Sequence, residues 1–137
     1  MSIVLAISPG TTGEKSIVVA DEHTAPFVGS GRVRVLATPV MINLFEAAAL
    51  AAIEHLLPDG HQSLGTHLDV THIAATPVGM RVSASAEVIA VDGRSVKFKL
   101  SARDERDLIG EGLHERVVVN VAKFDLRVQE KIAACKR

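Results

Sequence analysis

The segment from residue 39 to residue 57, PVMINLFEAAALAAIEHLL, restricts the fold more than any other part of the chain. It is rich in Ala and Leu and long enough for about five helical turns. Its only polar side chains are those of Asn43, Glu46, Glu54 and His55. A helix that is apolar nearly all round must be covered on most sides by other structure. The sequence therefore predicts a central helix enclosed by the rest of the chain.

The start of this helix is marked by Thr38, predicted as its N-cap, and by Pro39 at the first helical position. The residues PDG at 58–60 end it. Before the helix, the β-branched run at residues 14–20 predicts a strand, and the proline and glycines of residues 21–34 predict a loop.

After the helix, alternation of apolar and polar side chains predicts strands over residues 63–74, 80–91, 94–103 and 108–121. The pair Asp92-Gly93 marks a tight hairpin between the second and third of these strands. Gly110 and Gly112 are predicted as bulge or close-approach positions in the last one. A short helix is expected to begin at Asp125.

One helix and one antiparallel sheet give an α+β fold class. A curved antiparallel β-sheet wrapped around one long central helix is the hotdog fold, and this is the predicted architecture. The chain has 137 residues and a mass of 14.5 kDa, which fits one domain. We therefore expect a single domain over 1–137, with an N-terminal extension at 1–12 and a short helix or tail at 125–137.

The composition excludes several classes of protein. A formal net charge of −1, with no Trp or Tyr, argues against nucleic acid as a partner. Cys135 is the only cysteine, so the chain has no internal disulfide, and no spacing of metal ligands is present. The first ten residues lack a basic region and a long apolar core, so we expect a cytoplasmic protein that does not bind membranes and needs no metal or cofactor.

His72 is the residue in the predicted strands that most needs an explanation. Side chains alternate between the two faces of a strand. The two sets are Leu68, Val70, His72 and Ala74 on one face, and His67, Asp69 and Thr71 on the other. An imidazole on the apolar face is either a core histidine with satisfied hydrogen bonds or a group that transfers protons near neutral pH.

Three further positions are candidates for the chemistry. Glu46 lies among Phe and Ala residues, where a carboxylate needs a partner, although it also shares a helix side with Asn43 and Glu54 that is compatible with solvent exposure. Thr38 lies beside the N–H groups of a helix start, which favour a developing anion. Gly65, in SLGT, allows a ligand to approach the backbone.

Other polar residues have weaker patterns. His61 and His67 are expected on the solvent side, and His114 and Arg116 share one face of the last strand. Arg116 is suited to a carboxylate or a phosphate, although a surface ion pair is the more common outcome.

These residues resemble a known family. Thr38, Glu46 and His72, spaced eight and 26 residues apart, together with SLGT, VTHIAATPVGM, VDGRSVKFKLSARDERDLIGEG and HERVVV, resemble the fluoroacetyl-CoA thioesterase-like hotdog proteins. The resemblance covers residues 13 to 131. It implies a homodimeric or higher oligomeric acyl-CoA thioesterase in which the Thr, Glu and His are catalytic and Gly65 and Arg116 contact substrate. It also implies that His72 faces inward because the acyl group lies between helix and sheet.

The segment before Thr38 departs from that family. The fluoroacetyl-specific enzyme has phenylalanines there that form a lid, whereas APFVGSGRVRVLA contains only Phe27. We keep Phe27 as a candidate substrate contact but do not expect fluoroacetyl selectivity. Arg32 and Arg34 are suited to the phosphates of CoA or to solvent.

The predicted function is hydrolysis of a small or short-chain acyl-CoA to the free acid and CoA. Two alternatives remain open. A hotdog enoyl-CoA hydratase or dehydratase typically uses a His with an Asp or Glu and does not need Thr38. A non-catalytic hotdog module would only bind an acyl-CoA.

Overall fold

The computed structural model describes residues 3–135. In chain order the elements are strand β1 (Thr12–Val18), a 3₁₀ turn (Asp21–His23), helix α1 (Ala25–Val28), helix α2 (Thr38–Ile53), a 3₁₀ turn (Glu54–Leu56), strands β2 (His61–His72), β3 (Arg81–Asp92), β4 (Ser95–Arg103) and β5 (Leu108–Asn120), and helix α3 (Val121–Ala134).

The five strands form one antiparallel sheet in the order β1-β3-β4-β5-β2, so β1 and β2 are its edge strands. Helix α2 packs on one face of this sheet. The core residues that α2 contributes are Met41, Leu44, Phe45, Ala48, Ala49, Ala52 and Ile53. The inward side chains of β3 and β4 complete it with Val82, Ala84, Ala86, Val88, Val96, Phe98, Leu100 and Ala102. This is the predicted hotdog architecture, and the α+β fold class is confirmed.

A glycine allows α2 to lie against the first strand. A Cβ atom added at Gly13 would lie 2.3 Å from the carbonyl oxygen of Ala48 and 2.3 Å from the amide nitrogen of Ala52. Any side chain at this position would therefore push the helix away from β1. By length and composition alone the helical stretch Thr38–Leu56 is apolar enough to cross a membrane, a property it shares with the core helices of folded domains.

Both ends of α2 differ from the prediction. Ala37 is the N-cap and Thr38 is the first helical residue, so the predicted N-cap role of Thr38 is wrong. Its side chain instead forms a tertiary hydrogen bond, which is described below. The helix changes to a 3₁₀ turn at Glu54, before the predicted end at Leu57.

The C-terminal helix is longer than predicted. It begins at Val121, a residue that the alternation pattern assigned to the last strand, and extends over 14 residues. The side chain of Asn120 caps it, because its Oδ1 accepts a hydrogen bond of 3.1 Å from the backbone N–H of Lys123. None of the residues of α3 is buried.

The glycines of β5 were predicted to permit close approach, and they do. A Cβ atom at Gly110 would lie 2.6 Å from the carbonyl oxygen of Thr71, and one at Gly112 would lie 2.1 Å from that of Asp69. The register shift in β5 falls at Ile109, between the partners of Ala102 and Arg103. The bulge is therefore next to Gly110 rather than at either glycine.

Candidate active site

Thr38 and His72 contact each other although 34 residues separate them. Thr38 lies at the start of α2 and His72 is the last residue of β2. The Oγ1 atom of Thr38 is 2.7 Å from Nδ1 of His72. The alternation predicted for β2 is also present, since Leu68, Val70 and His72 are half-buried while Asp69 and Thr71 are exposed. The helix start and the strand end thus place a hydroxyl and an imidazole together.

The environment of His72 favours the neutral imidazole. Burial lowers the pKa of His72 from its ordinary value, and the backbone of Ala74 opposes this effect only in part. In the tautomer with the proton on Nε2, Nδ1 accepts the hydroxyl proton of Thr38. Within residues 3–135, Nε2 of His72 is buried without a hydrogen-bond partner. Nδ1 of His72 is therefore the ring nitrogen that contacts the hydroxyl of Thr38.

A cleft of about 370 Å³ adjoins this pair. Besides Thr38 and His72, its lining includes the small or aliphatic residues Ala25, Gly31, Val33, Leu36 and Ala74. Arg32 also lines it, whereas Arg34 forms an ion pair with Asp21. Phe27 is 70% exposed and is not among the residues that line the cleft.

A second cluster forms around Arg116, which is only 5% exposed. Its Nη1 donates to Oε2 of Glu46 at 3.3 Å. Its Nε and Nη2 donate to the hydroxyl and the carbonyl oxygen of Ser63 at 2.8 and 3.0 Å. Arg116 thus forms an ion pair, but a buried one rather than the surface pair that is more common, and its guanidinium is held by Glu46, Ser63 and His114. Glu46 has found the partner that its apolar surroundings require.

His114 completes this cluster and was not predicted as a site residue. It is fully buried, and its Nε2 lies 3.2 Å from Nη1 of Arg116. Because a guanidinium can only donate, Nε2 accepts, and Nδ1 carries the proton that it donates to the carbonyl oxygen of His67 at 2.8 Å. Burial is the main cause of the lowered pKa of His114, and the charge of Arg116 adds to it. The signal in the sequence was the HER spacing, which places His114 and Arg116 on one strand face, and the structure shows that this face is buried.

Gly65 lies directly over the carboxylate of Glu46. A Cβ atom at this position would be 2.6 Å from Oε2 of Glu46 and 3.2 Å from Cε1 of His114. The absence of a side chain therefore leaves room for the Glu46 carboxylate beside the strand backbone, while the approach of a ligand to Gly65 stays a prediction. The pairing of β2 with β5 shifts its register between Gly65 and His67, so Gly65 borders an irregularity in the strand.

The three predicted catalytic residues do not meet within one chain. Thr38 contacts His72, whereas Glu46 contacts Arg116. Because a helix rises 1.5 Å per residue, Thr38 and Glu46 are separated by about 12 Å along α2. Within residues 3–135 no cluster of His, Cys, Asp and Glu is suited to hold a metal ion.

Comparison with known proteins identifies the family of this chain. The family model described as FlK, fluoroacetyl-CoA-specific thioesterase, matches residues 19–122. The fluoroacetyl-CoA thioesterase of Streptantibioticus cattleyicolor is 44% identical over 100 residues, which cover 73% of this chain and 72% of that protein.

Solved structures extend the similarity to most of the chain. A mutant of FlK in complex with acetyl-CoA is 35% identical, with a TM-score of 0.85, covering 91% of this chain and 98% of that one. A hypothetical protein of Thermus thermophilus, a thioesterase superfamily member, is 32% identical, with a TM-score of 0.85, covering 93% of this chain and 97% of the other. The family model, the curated relative and the solved structures thus lead to one assignment, and the chain belongs to the fluoroacetyl-CoA-specific thioesterase family of hotdog enzymes.

Proposed function

We propose that this protein hydrolyses the thioester of a small or short-chain acyl-CoA, giving the free acid and CoA. The observation that carries the proposal is the 2.7 Å contact between Thr38 Oγ1 and His72 Nδ1 beside a cleft lined by small side chains. Thioester hydrolysis needs a nucleophile, a proton acceptor and donors for the oxyanion, and this part of the molecule offers all three.

In the proposed reaction, neutral His72 accepts the proton of the attacking hydroxyl, which belongs to Thr38 or to a water held beside it. Attack on the carbonyl carbon gives a tetrahedral oxyanion. The backbone N–H groups at the start of α2 are suited to stabilise that charge. Gly65 and Glu46 of the same chain lie far from Thr38, so the N–H groups near Gly65 and the Glu46 carboxylate that take part would be those of the partner protomer. The C–S bond then breaks, and the departing thiolate takes the proton from His72. If water attacks, this step releases the free acid directly. If Thr38 attacks, the product is an ester on Thr38, which a water activated by His72 then hydrolyses, releasing the acid and returning the proton to the Thr38 hydroxyl. Glu46, oriented by Arg116, would direct the attacking group, and Arg116 and Gly65 would contact substrate.

We predict a homodimer in solution. The Thr38–His72 pair and the Glu46–Arg116 pair are separated along α2, and β2, which carries His72 and Gly65, lies at an open edge of the sheet. If two protomers pair along this edge about a twofold axis, the Thr38–His72 pair of one protomer would lie beside the Glu46–Arg116 pair of its partner. Sedimentation should give twice the chain mass of 14.5 kDa. A monomer alone at micromolar concentration would contradict this.

We predict weak discrimination between fluoroacetyl-CoA and acetyl-CoA. No aromatic side chain is among the residues that line the cleft beside Thr38, and Phe27 is largely exposed. Selectivity requires contacts that differ between the two transition states. The two values of kcat/KM should agree to within about tenfold. A preference of several orders of magnitude would mean that another group, such as Phe27, closes over the substrate.

We predict an acid limb in the pH profile with a midpoint below about 6.5, the ordinary pKa of histidine. Burial lowers the pKa of His72, so its imidazole stays neutral and able to accept a proton until the pH falls through that lowered value. Below it, protonated His72 cannot act as the base and kcat/KM declines. A midpoint near or above 7 would contradict this role of His72.

A panel of acyl-CoA thioesters, with release of free thiol followed spectroscopically, tests the proposed function directly. The assays include a chelator because the proposal has no metal and no added cofactor. Turnover of enoyl-CoA without thiol release would instead identify a hydratase. Binding of acyl-CoA with no turnover of any panel member would identify a binding module. The proposal retains the expected cytoplasmic location, with which the free, exposed Cys135 is compatible.

A further inference from the structure

Helix α3 carries a row of basic side chains. Lys123, Arg127 and Lys131 follow each other at intervals of four residues, so they share one side of the helix. Arg94, in the turn between β3 and β4, lies close to this row of basic side chains. It lines one cavity together with Lys123 and a second one together with Arg127. Within residues 3–135 the ion pairs are those of Arg34 and Arg116, so none of these four cations has an acidic partner.

A groove of about 550 Å³ runs between α3 and the outer face of the sheet. We call it the α3 groove. Its apolar lining is Leu64, Val117, Val119, Phe124 and Val128, and its cations are Arg94, Arg127 and Lys131. The lining within the described residues contains no acidic side chain. The guanidinium of Arg127 lies 5.9 Å from the ring centre of Phe124, so an aromatic face and positive charge stand side by side.

The α3 groove borders the candidate active site through Gly65. This residue lines the groove, and on its other side a Cβ atom would touch the carboxylate of Glu46. The β2 backbone at Gly65 is thus the wall between the groove and the Glu46–Arg116 cluster. A ligand with a long flexible arm is suited to occupy both places.

We propose that the α3 groove binds the nucleotide end of CoA, the 3′-phosphorylated adenosine diphosphate. Its phosphates would meet Arg94, Arg127 and Lys131, and its adenine would lie on the apolar wall formed by Phe124 and Val128. The formal net charge of the chain is −1, so this concentration of unpaired cations is local and complements a multiply charged anion. The proposal rests on the proposed function, because it takes acyl-CoA as the substrate.

The concave shape favours this ligand over a membrane surface, the other partner of a helix with basic and apolar sides. The apolar side chains that α3 contributes to the groove, Phe124 and Val128, lie across the cavity from those of β5 and β2, whereas a membrane would need a convex apolar face. Binding to anionic vesicles is therefore kept as a separate outcome of the test.

The test compares two triple variants that remove equal positive charge. The groove variant is Arg94→Gln, Arg127→Gln and Lys131→Gln. The control variant is Lys15→Gln, Arg81→Gln and Arg103→Gln, all at exposed strand positions away from the groove. For the groove variant we expect KM for acyl-CoA to rise about 10- to 100-fold with little change in kcat. We expect no such rise for the same acyl group on pantetheine, which lacks the nucleotide.

Calorimetric titration with CoA and with dephospho-CoA tests binding without turnover. Wild-type and control proteins should bind CoA more tightly than dephospho-CoA, and the groove variant should lose both the affinity and the difference. Failure to hydrolyse either acyl-CoA or acyl-pantetheine would refute the proposed function, while this titration would still decide the groove. Unchanged CoA affinity in the groove variant would overturn the inference. If the groove variant keeps its CoA affinity and instead loses binding to phosphatidylserine vesicles, the inference is likewise overturned, and the basic surface binds membranes.

Discussion

Replacing His72 with alanine is expected to lower the turnover of an acyl-CoA thioester by about two to four orders of magnitude, the usual range for general acid–base catalysis. His72 is half-buried and holds the hydroxyl of Thr38 at 2.7 Å. Without it, the hydroxyl of Thr38 loses the base to which it is hydrogen-bonded. Steady-state kinetics on the best substrate of the panel would measure the loss.

The control for this variant is thermal unfolding, because a histidine with only a structural role would lower the melting temperature while turnover survives. A His72→Ala protein that melts early yet hydrolyses normally would refute the catalytic role. Thr38→Ala and Glu46→Gln should also impair turnover. Combining either with His72→Ala should give less than the product of the separate effects, since residues that act as a unit are not additive.

Replacing Arg116 with methionine is expected to lower the free energy of unfolding by about 2–4 kcal/mol, because buried acceptors then lose their donors. The guanidinium is 5% exposed and serves the hydroxyl and carbonyl oxygens of Ser63 together with Nε2 of His114. The contribution from Glu46 is smaller, because its side chain is 37% exposed and water can replace the arginine.

Urea unfolding of Arg116→Met would measure this effect, and Arg103→Met, at an exposed position of β4, is the matched control. The control should change the free energy of unfolding by no more than about 0.5 kcal/mol. Equal stabilities for the two variants would show that the cluster around Arg116 adds nothing to the fold. A loss of turnover in Arg116→Met greater than its unfolded fraction explains would support the proposed orientation of Glu46.

Local patterns determined the fold. The apolar helix after Thr38 had to be enclosed, and the period of two in the later strands defined one apolar face with which to enclose it. The same period placed His72 on the apolar face of its strand and put His114 and Arg116 on one face of theirs, without any knowledge of their neighbours. Such features could be predicted because they depend on residues close together in the chain.

Only the tertiary structure decided what these side chains contact. Thr38 is not the N-cap of α2 but forms a hydrogen bond to His72. Arg116 contacts Glu46, which lies 70 residues away in the sequence. Strand pairing and helix packing bring such residues together, and neither register nor depth of burial is written in local periodicity. The sequence by itself therefore determined an enclosed helix, an alternating sheet and a histidine, His72, on an apolar strand face. The packing of that helix on that sheet decided which of its polar groups meet, since buried donors and acceptors must find partners wherever the fold supplies them.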